Sequence, residues 1–308
     1  MNAWSQGKVA RVSAVVVGID GSASALDAAR WGAAVALRDH VALRLVHTYE
    51  LPRGLPSAAV DQESLLTALQ EQGRRTLAEA REVTAEVGSV LPTESVLEAS
   101  PTVPALLHES ENASIVVLGT RGLNTLTGML VGSTSVAVAG QARSPVVIVR
   151  GHAPDLPPPD TGPVVVGVDG TAVSEAAIAF AVAEASARKA ELYAVHTWTE
   201  SRFEIALAGD NAPVDLALLR EQAEETLAER LAGWQEKYSD VRIHRDLIHD
   251  RPGRALRRYT PTAQLVVVGR RGRGSFSSLL LGSTSQYLLH HARCPIAVVR
   301  MDAASKLN

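Results

Sequence analysis

Two copies of one glycine motif are the feature of this sequence best suited to chemistry. Each copy has the spacing G-x-x-G, nine residues, then G-S. The members are Gly119, Gly122, Gly132 and Ser133 in the first copy, and Gly269, Gly272, Gly282 and Ser283 in the second. Each motif follows an apolar run and precedes a helical pattern, which predicts a loop between a buried strand and a helix start. Because glycine lets backbone approach a ligand and a helix N-terminus attracts anions, the motif predicts phosphate binding.

Other polar side chains accompany both loops. Thr134 and Thr284 follow the serines and extend the run of hydroxyls at each predicted helix start. Arg121 in the first loop, and Arg270 and Arg271 in the second, would add positive charge near a terminal phosphate. The two loops therefore offer hydroxyl, amide and guanidinium donors, which are the groups that a phosphate accepts from.

An aspartate ends the first apolar run of each half, at Asp20 and Asp169. In a doubly wound sheet, ligands lie outside the carboxyl ends of the strands where the strand order reverses. Here we expect that point between the first and fourth strands, so each aspartate should share a crevice with its glycine loop. An ionised carboxylate is an acceptor only, which suits a ribose hydroxyl or indirect contact with Mg²⁺ bridging phosphates.

Structural explanations compete with these assignments. A glycine after a strand is commonly a turn residue, and hydroxyls before a helix are commonly caps, but the joint pattern, held twice, favours a ligand site. His47 and His196 close the second strand of each half, where a packed, hydrogen-bonded histidine is a simpler interpretation than a catalytic base. Cys294 stands where the first half has Ser144, which indicates a structural role.

The segments that must position these residues are themselves duplicated. Val15–Ser22 recurs as Val164–Thr171, 149 residues later. In the first half, patterns predict strands at 13–19, 41–48, 94–98, 114–119 and 146–149, and helices at 23–38, 61–87, 102–110 and 133–141. The second half repeats the strands near 163–169, 190–197, 241–248, 264–269 and 295–300. This alternation predicts an α/β fold of two tandem Rossmann-like domains, each a five-stranded parallel sheet with helices on both faces.

A proline-rich segment separates the two halves. Residues 152–162 favour an extended connector, which divides the chain into domain 1 at 1–151 and domain 2 at 163–308. The last strand of each half is short, wholly apolar and terminal in its sheet, so its edge must be covered. Two arrangements remain open: the two strands pair with each other in a pseudo-twofold chain, or they pair between chains.

Composition excludes several classes of function. The net charge is −3, and the sequence has no basic cluster interleaved with aromatic residues. We therefore expect no nucleic-acid partner. No apolar stretch approaches the roughly 18 residues that span a bilayer, and the first residues lack a hydrophobic signal region, so we expect a cytoplasmic protein without a membrane partner. A single cysteine fits a reducing compartment. The chain lacks a Walker P-loop, a G-x-G-x-x-G after the first strand, and a G-x-S-x-G elbow.

The repeated loop and the aspartates resemble the universal stress protein family in its tandem, ATP-binding form. The resemblance covers roughly 12–150 and 163–300. It implies that Asp20 and Asp169 lie near the nucleotide and that the backbone of Thr48 and Thr197 recognises adenine. It also implies ribose and phosphate contacts from Gly119, Gly122, Gly132, Ser133 and Thr134, and from Gly269, Gly272, Gly282, Ser283 and Thr284. Threonine replaces the aliphatic residue that often follows the second-strand histidine, a change that backbone recognition should tolerate.

The resemblance also implies a function. It predicts a regulator of the stress, hypoxia or dormancy response that binds ATP, with Mg²⁺, at about one nucleotide per domain, and that is commonly a homodimer with a further protein partner. It predicts a binding protein with no catalytic residues. Two alternatives stay open: a slow ATPase or adenylyl-transferring enzyme on the same site, and a scaffold that has kept the loop without using it.

Overall fold

The computed structural model describes residues 14–51, 61–120, 131–153, 156–198, 216–272 and 280–301. The first copy contains β1 (Ala14–Gly18), α1 (Ala23–Arg38), β2 (Leu43–Thr48), α2 (Gln62–Val87), β3 (Thr93–Glu98), α3 (Thr102–Glu109), β4 (Ala113–Gly119), α4 (Ser133–Gln141) and β5 (Val146–Val149). The second contains β6 (Val164–Val168), α5 (Ala172–Arg188), β7 (Leu192–Trp198), α6 (Leu216–Leu231), α7 (Trp234–Lys237), β8 (Ile243–His249), α8 (Pro252–Arg257), β9 (Leu265–Gly269), α9 (Ser283–His291) and β10 (Ile296–Val299). Every predicted strand is present, within two residues at either end.

The strands form one ten-stranded sheet in the order β3-β2-β1-β4-β5-β10-β9-β6-β7-β8. Within each copy the five strands are parallel. β5 and β10 pair antiparallel, with Val147 opposite Ala297, and we call this junction between the two copies the seam. The predicted fold, two tandem Rossmann-like α/β domains, is confirmed. Of the two arrangements left open for the terminal strands, the chain adopts the internal one, so each covers the edge of the other.

Helices cover both faces of the sheet. One apolar cluster packs α1, α2, α5 and α6 on the first face, and a second packs α3, α4, α8 and α9 on the opposite face. All residues of β5 and β10 are buried, which is what strands covered on both faces require. None of the helices that the structure describes is both long and apolar enough to cross a bilayer.

A buried ion network joins the copies on the first face. Glu184 of α5, with its side chain 8% exposed, receives hydrogen bonds from both terminal nitrogens of Arg38 of α1, at 3.2 and 2.8 Å. Arg188 Nε donates to the same carboxylate at 2.8 Å, and its guanidinium lies 5.1 Å from the ring centre of Trp31. One carboxylate therefore forms ion pairs with a guanidinium from each copy.

On the opposite face of the seam, arginine side chains of each copy donate hydrogen bonds to backbone carbonyls of the other copy. Arg150, just after β5, donates to Ala292 O at the end of α9 at 2.7 Å, and Arg270, just after β9, donates to Gly140 O of α4 at 2.9 Å. A Cβ on Gly140 would lie 2.9 Å from Leu280 Cβ, so the absence of a side chain lets the copies meet closely. These cationic donors satisfy carbonyl groups near helix C-termini.

We expect Glu184→Ala to lower the free energy of unfolding by about 3–5 kcal/mol, because the partly buried Arg188 loses its carboxylate partner and Arg38 keeps only the more exposed Asp39. Denaturant unfolding would measure the loss. Glu175→Ala on the same helix is the matched control: its ion pair with Arg230 is 2.6 Å long but has side chains 46% and 37% exposed, so it should cost no more than about 1 kcal/mol. Equal losses in the two variants would contradict this role.

The same carboxylate should contribute to acid sensitivity. Burial opposes ionisation of Glu184, but Arg188 and Arg38 outweigh it and hold the pKa below its ordinary value of 4.5. Its stabilisation is therefore complete above that value and is lost as pH falls through the lowered pKa. In Glu184→Gln, the unfolding free energy should fall less steeply with acid, as measured by denaturant titrations between neutral and acidic pH.

Candidate functional site

The strand order reverses at β1 in the first copy and at β6 in the second. β1 lies between β2 and β4, and β6 between β7 and β9, all parallel. Helices leave these neighbouring strands in different directions, which opens a crevice at the carboxyl end of the sheet. Asp20 follows β1 there, and Gly119 ends β4, so the sheet brings the first-copy aspartate and glycine loop to the same point.

Each aspartate folds back onto the start of the next helix. Asp20 Oδ1 accepts from Ser22 N at 3.0 Å and from Ser22 Oγ at 2.6 Å, and Asp169 Oδ1 accepts from Thr171 N and Oγ1 at the same distances. Gly21 between them has φ +85°, a conformation that favours glycine. Each carboxylate thus has one oxygen that braces a helix cap.

The histidines identified from the sequence support this turn. His47 Nδ1–H donates to the carbonyl of Ile19 at 2.7 Å, and His196 Nδ1–H donates to that of Val168 at 2.6 Å. Each carbonyl belongs to the residue immediately before the aspartate. This confirms the packed, hydrogen-bonded interpretation and adds a positioning role that the sequence alone did not reveal.

The first glycine of each motif is required by packing. A Cβ on Gly119 would lie 2.6 Å from the backbone carbonyl of Ser24, in the first turn of α1. A Cβ on Gly269 would lie 2.7 Å from Val173 Cγ1, in the first turn of α5. These two glycines therefore let the start of α1 rest directly on the end of β4, and the start of α5 on the end of β9.

The glycine before α4 has a different environment. Gly132 has φ −61° and ψ 146°, which any residue adopts, and among the described residues the one heavy atom within 4 Å of an added Cβ is Thr120 O at 3.6 Å. No side chain of the described residues caps α4. Packing among these residues therefore gives no reason for glycine here. Gly282, before α9, is tighter, because its Cβ would lie 3.3 Å from Arg271 Cα.

The hydroxyls after this glycine divide into two sets. Ser133 is exposed and Thr134 half-buried, and Ser283 and Thr284 repeat this, so these residues remain accessible from the crevice. The next serine of each copy points inward: Ser135 Oγ donates to the carbonyl of Gly119 at 2.9 Å, and the equivalent serine of the second copy does the same at 2.7 Å. Ser135 was not among the predicted site residues, and it closes the loop onto the strand end.

The backbone of Thr48 faces the crevice. Val46 O accepts from Ile19 N at 2.8 Å, whereas Tyr49 N donates to β3 at 3.0 Å. Because successive residues of a strand direct their backbone groups to alternate sides, Thr48 points to the side where β1 has already ended. Its side-chain oxygen lies 2.7 Å from Thr102 Oγ1 at the start of α3.

Thr197 holds the same position in the second copy. Leu192 N donates to Arg242 O on the β8 side at 2.9 Å, so alternation directs the backbone of Thr197 to the β6 side. β6 ends at Val168, one register position earlier. Both threonines thus present backbone polar groups beyond the end of the central strand.

Not every predicted loop residue reaches the crevice. Gly122 and Arg121 lie outside the described residues. A Cβ on Gly272 would collide with Asp169 Oδ2, so the second-copy loop rests against the aspartate as expected. The guanidinium of Arg270 instead reaches across the seam to the other copy, because a helix-end carbonyl lies within its range. One terminal nitrogen of Arg270 is therefore committed to the other copy, and the phosphate contact of this residue stays a prediction.

Comparison with known proteins identifies relatives along the whole chain. The model of the universal stress protein family matches residues 12–150 and again 161–300. Universal stress proteins Rv2005c and Rv2623 of Mycobacterium tuberculosis are 40% and 37% identical over 291 and 294 residues; the alignments cover 94% and 93% of this chain and 97% and 96% of theirs. A universal stress protein from Archaeoglobus fulgidus has a similar fold, with TM-score 0.65 at 18% identity, covering 94% of this chain and 99% of that one.

The two kinds of glycine should respond differently to a methyl group. We expect Gly119→Ala to lower the unfolding free energy by about 1–3 kcal/mol, because rigid backbone of α1 occupies the space. Gly132→Ala should cost less than about 1 kcal/mol, since only a favourable helix-capping residue is lost. Thermal or denaturant unfolding of both variants tests this. A Gly132→Ala loss as large as that of Gly119→Ala would contradict the open geometry.

Proposed function

The chain belongs to the universal stress protein family, and we propose that it is an ATP-binding regulator with one nucleotide site in each copy. The observation that carries the proposal is the glycine at position 132. Neither its dihedral angles nor its described neighbours require glycine, yet a side chain there would fill the space in front of a helix start that no described side chain caps. A phosphate group needs that space, and the unpaired N–H groups of the first turn would bind it.

The remaining contacts follow the direction of the crevice. We assign the phosphates to the backbone and hydroxyls at the helix starts, namely Gly132, Ser133 and Thr134, and Gly282, Ser283 and Thr284. Adenine would pair with the backbone of Thr48 or Thr197, on the side where the central strand has ended. The first glycines of the motifs, Gly119 and Gly269, and Gly272 shape the loops, and Gly122 is assigned with them from the sequence.

Magnesium fits this site as an ion carried by the nucleotide. The described residues contain no group of three or more His, Cys, Asp or Glu side chains that could hold a metal ion by themselves. Asp20 and Asp169 each offer one carboxylate, whose Oδ1 already braces a helix cap. We assign each carboxylate contact with a ribose hydroxyl or with a water molecule of the hydrated ion. Bound Mg²⁺ would neutralise phosphate charge.

We propose binding without a dedicated catalytic function. The histidines nearest the crevice, His47 and His196, are committed through Nδ1 to backbone carbonyls and serve to position the turn. The proposal includes cytoplasmic location, a role in the response to stress, hypoxia or dormancy, and domains 1–151 and 163–308 joined by 152–162. A homodimer, if formed, would use a surface other than β5 and β10, because these strands pair within the chain.

Nucleotide content of the purified protein is the direct test. After purification without added nucleotide and denaturation, we expect about two ATP per chain, one for each copy, by chromatography with mass detection. Gly132→Val and Gly282→Val should each lower this to about one, because the added methyl groups occupy the phosphate site, and the untouched copy serves as the folding control. If neither variant loses nucleotide, the assignment of the helix starts is wrong.

Single-turnover assays with radiolabelled ATP separate binding from catalysis. We expect ATP to remain intact over the time in which it stays bound, because His47 Nε2, the ring nitrogen that could act as a base, packs against α2, where a Cβ on Gly73 would lie 3.4 Å from it. Rapid formation of ADP or of an adenylylated product, abolished in Asp20→Ala and Asp169→Ala, would establish an ATPase or adenylyl-transferring enzyme instead. Calorimetry on the same variants distinguishes loss of chemistry from loss of binding.

A further inference from the structure

A groove of about 500 Å³ runs along the outer edge of the first copy, apart from the helix starts described above. α2 forms its wall through Arg74, Ala78 and Arg81, and β3 contributes Ser95 and Leu97. β3 is the last strand of the ten-stranded sheet, and no other strand of the described residues pairs with its outer side, so this groove lies beside a strand edge. A strand edge with a helix above it offers both backbone and side-chain contacts to a ligand.

The backbone of β3 directs two residues into this edge. Pro92 O accepts from Leu43 N at 2.9 Å, on the β2 side. By alternation, Thr93, Ser95 and Leu97 direct their N–H and C=O groups outward. Arg81 Nη1 donates to the Thr93 carbonyl at 3.1 Å and so covers the first of these positions. Ser95 and Leu97 form the part of the edge that an added strand would pair with.

The groove is basic because of residues particular to the first copy. The α2 segment Glu71–Ala80 aligns with Glu221–Arg230 of α6, 150 residues later, with the same Glu-Gln and Thr-Leu-Ala-Glu around the centre. Arg74 and Arg75 become Glu224 and Glu225 in that alignment. The fold therefore does not require positive charge at these positions, since the second copy carries the opposite charge there.

Neighbouring residues shape the groove and leave the charge of Arg74 available to a ligand. Glycine at position 73 lets Leu97 lie close to α2, because a Cβ there would come within 2.5 Å of Leu97 Cδ1. Arg74 is exposed and makes no hydrogen bond or ion pair within the described part of the chain. Of the two acidic residues of β3, Glu94 forms an ion pair with Arg44 and Glu98 accepts a hydrogen bond from Ser100 Oγ. The guanidinium of Arg74 is thus directed at an open, partly apolar groove.

We propose that this groove binds an extended, acidic segment of a partner protein, which adds to the sheet as a strand beside β3. Backbone groups of the segment would pair with Ser95 and Leu97. Alternate side chains would lie under α2, where a carboxylate would meet Arg74 and an apolar side chain would contact Leu97 and Tyr49. The open edge selects an extended chain, and the arginines select its charge.

Full-length protein and a short, capped, fluorescein-labelled peptide of alternating glutamate and valine test the proposal. Fluorescence anisotropy would measure binding. The affinity should fall with added salt and should exceed that for the lysine–valine counterpart. Arg74→Glu, which installs the residue of the second copy, should weaken binding at least about tenfold. Arg75→Glu is the matched control, because it is exposed, changes the net charge equally and does not line the groove.

Amide hydrogen exchange by NMR supplies an independent readout of strand addition. The N–H groups of Ser95 and Leu97 should become protected when the glutamate–valine peptide is bound, whereas those of the other sheet edge, β8, should not. Three results would overturn the proposal: equal weakening by Arg74→Glu and Arg75→Glu, equal binding of the lysine peptide, or binding without protection of Ser95 and Leu97. The nucleotide content of Arg74→Glu should equal that of the unmodified chain, so failure here is distinct from failure of the ATP assignment.

Discussion

The antiparallel pairing of β5 with β10 is the interaction on which the rest of the molecule depends. Strands as short and apolar as these cannot remain as exposed edges, and each copy supplies one. Their pairing converts two five-stranded sheets into one and removes both edges from solvent. It also determines which helices meet across the seam, because α1 and α5 pack on one face while α4 and α9 lie on the other.

The seam and the two crevices are connected through the same helices. α1 begins at the turn that Asp20 braces and ends at Arg38, which binds Glu184. α5 begins at the equivalent turn of the second copy and carries Glu184 near its end. A single helix therefore connects each crevice to the Glu184 carboxylate, which residues of both copies contact. The buried charge that stabilises the seam is also the point where elements leading to the two sites touch.

Much of this architecture was predictable from the sequence, because it follows from local patterns. The strands, the helices and the convergence of aspartate with glycine loop come from periodicity, repetition and the geometry of parallel sheets. The different roles of the glycines could not be predicted from the sequence. Gly119 is required because α1 packs against it, whereas Gly132 has open space in front of it. Nor did the position of Arg270, whose carbonyl partner belongs to the other copy. Such features depend on contacts between residues far apart in the sequence.

The internal seam has a consequence for how the two halves can change. In a symmetric dimer of identical chains, every substitution appears twice, so a groove cannot become basic on one subunit and acidic on the other. Here the halves are covalently joined, and their association is independent of protein concentration. Arg74 and Glu224 occupy equivalent positions with opposite charge, which a twofold homodimer could not achieve. The tandem chain keeps the geometry of a dimer while allowing its two ends to specialise separately.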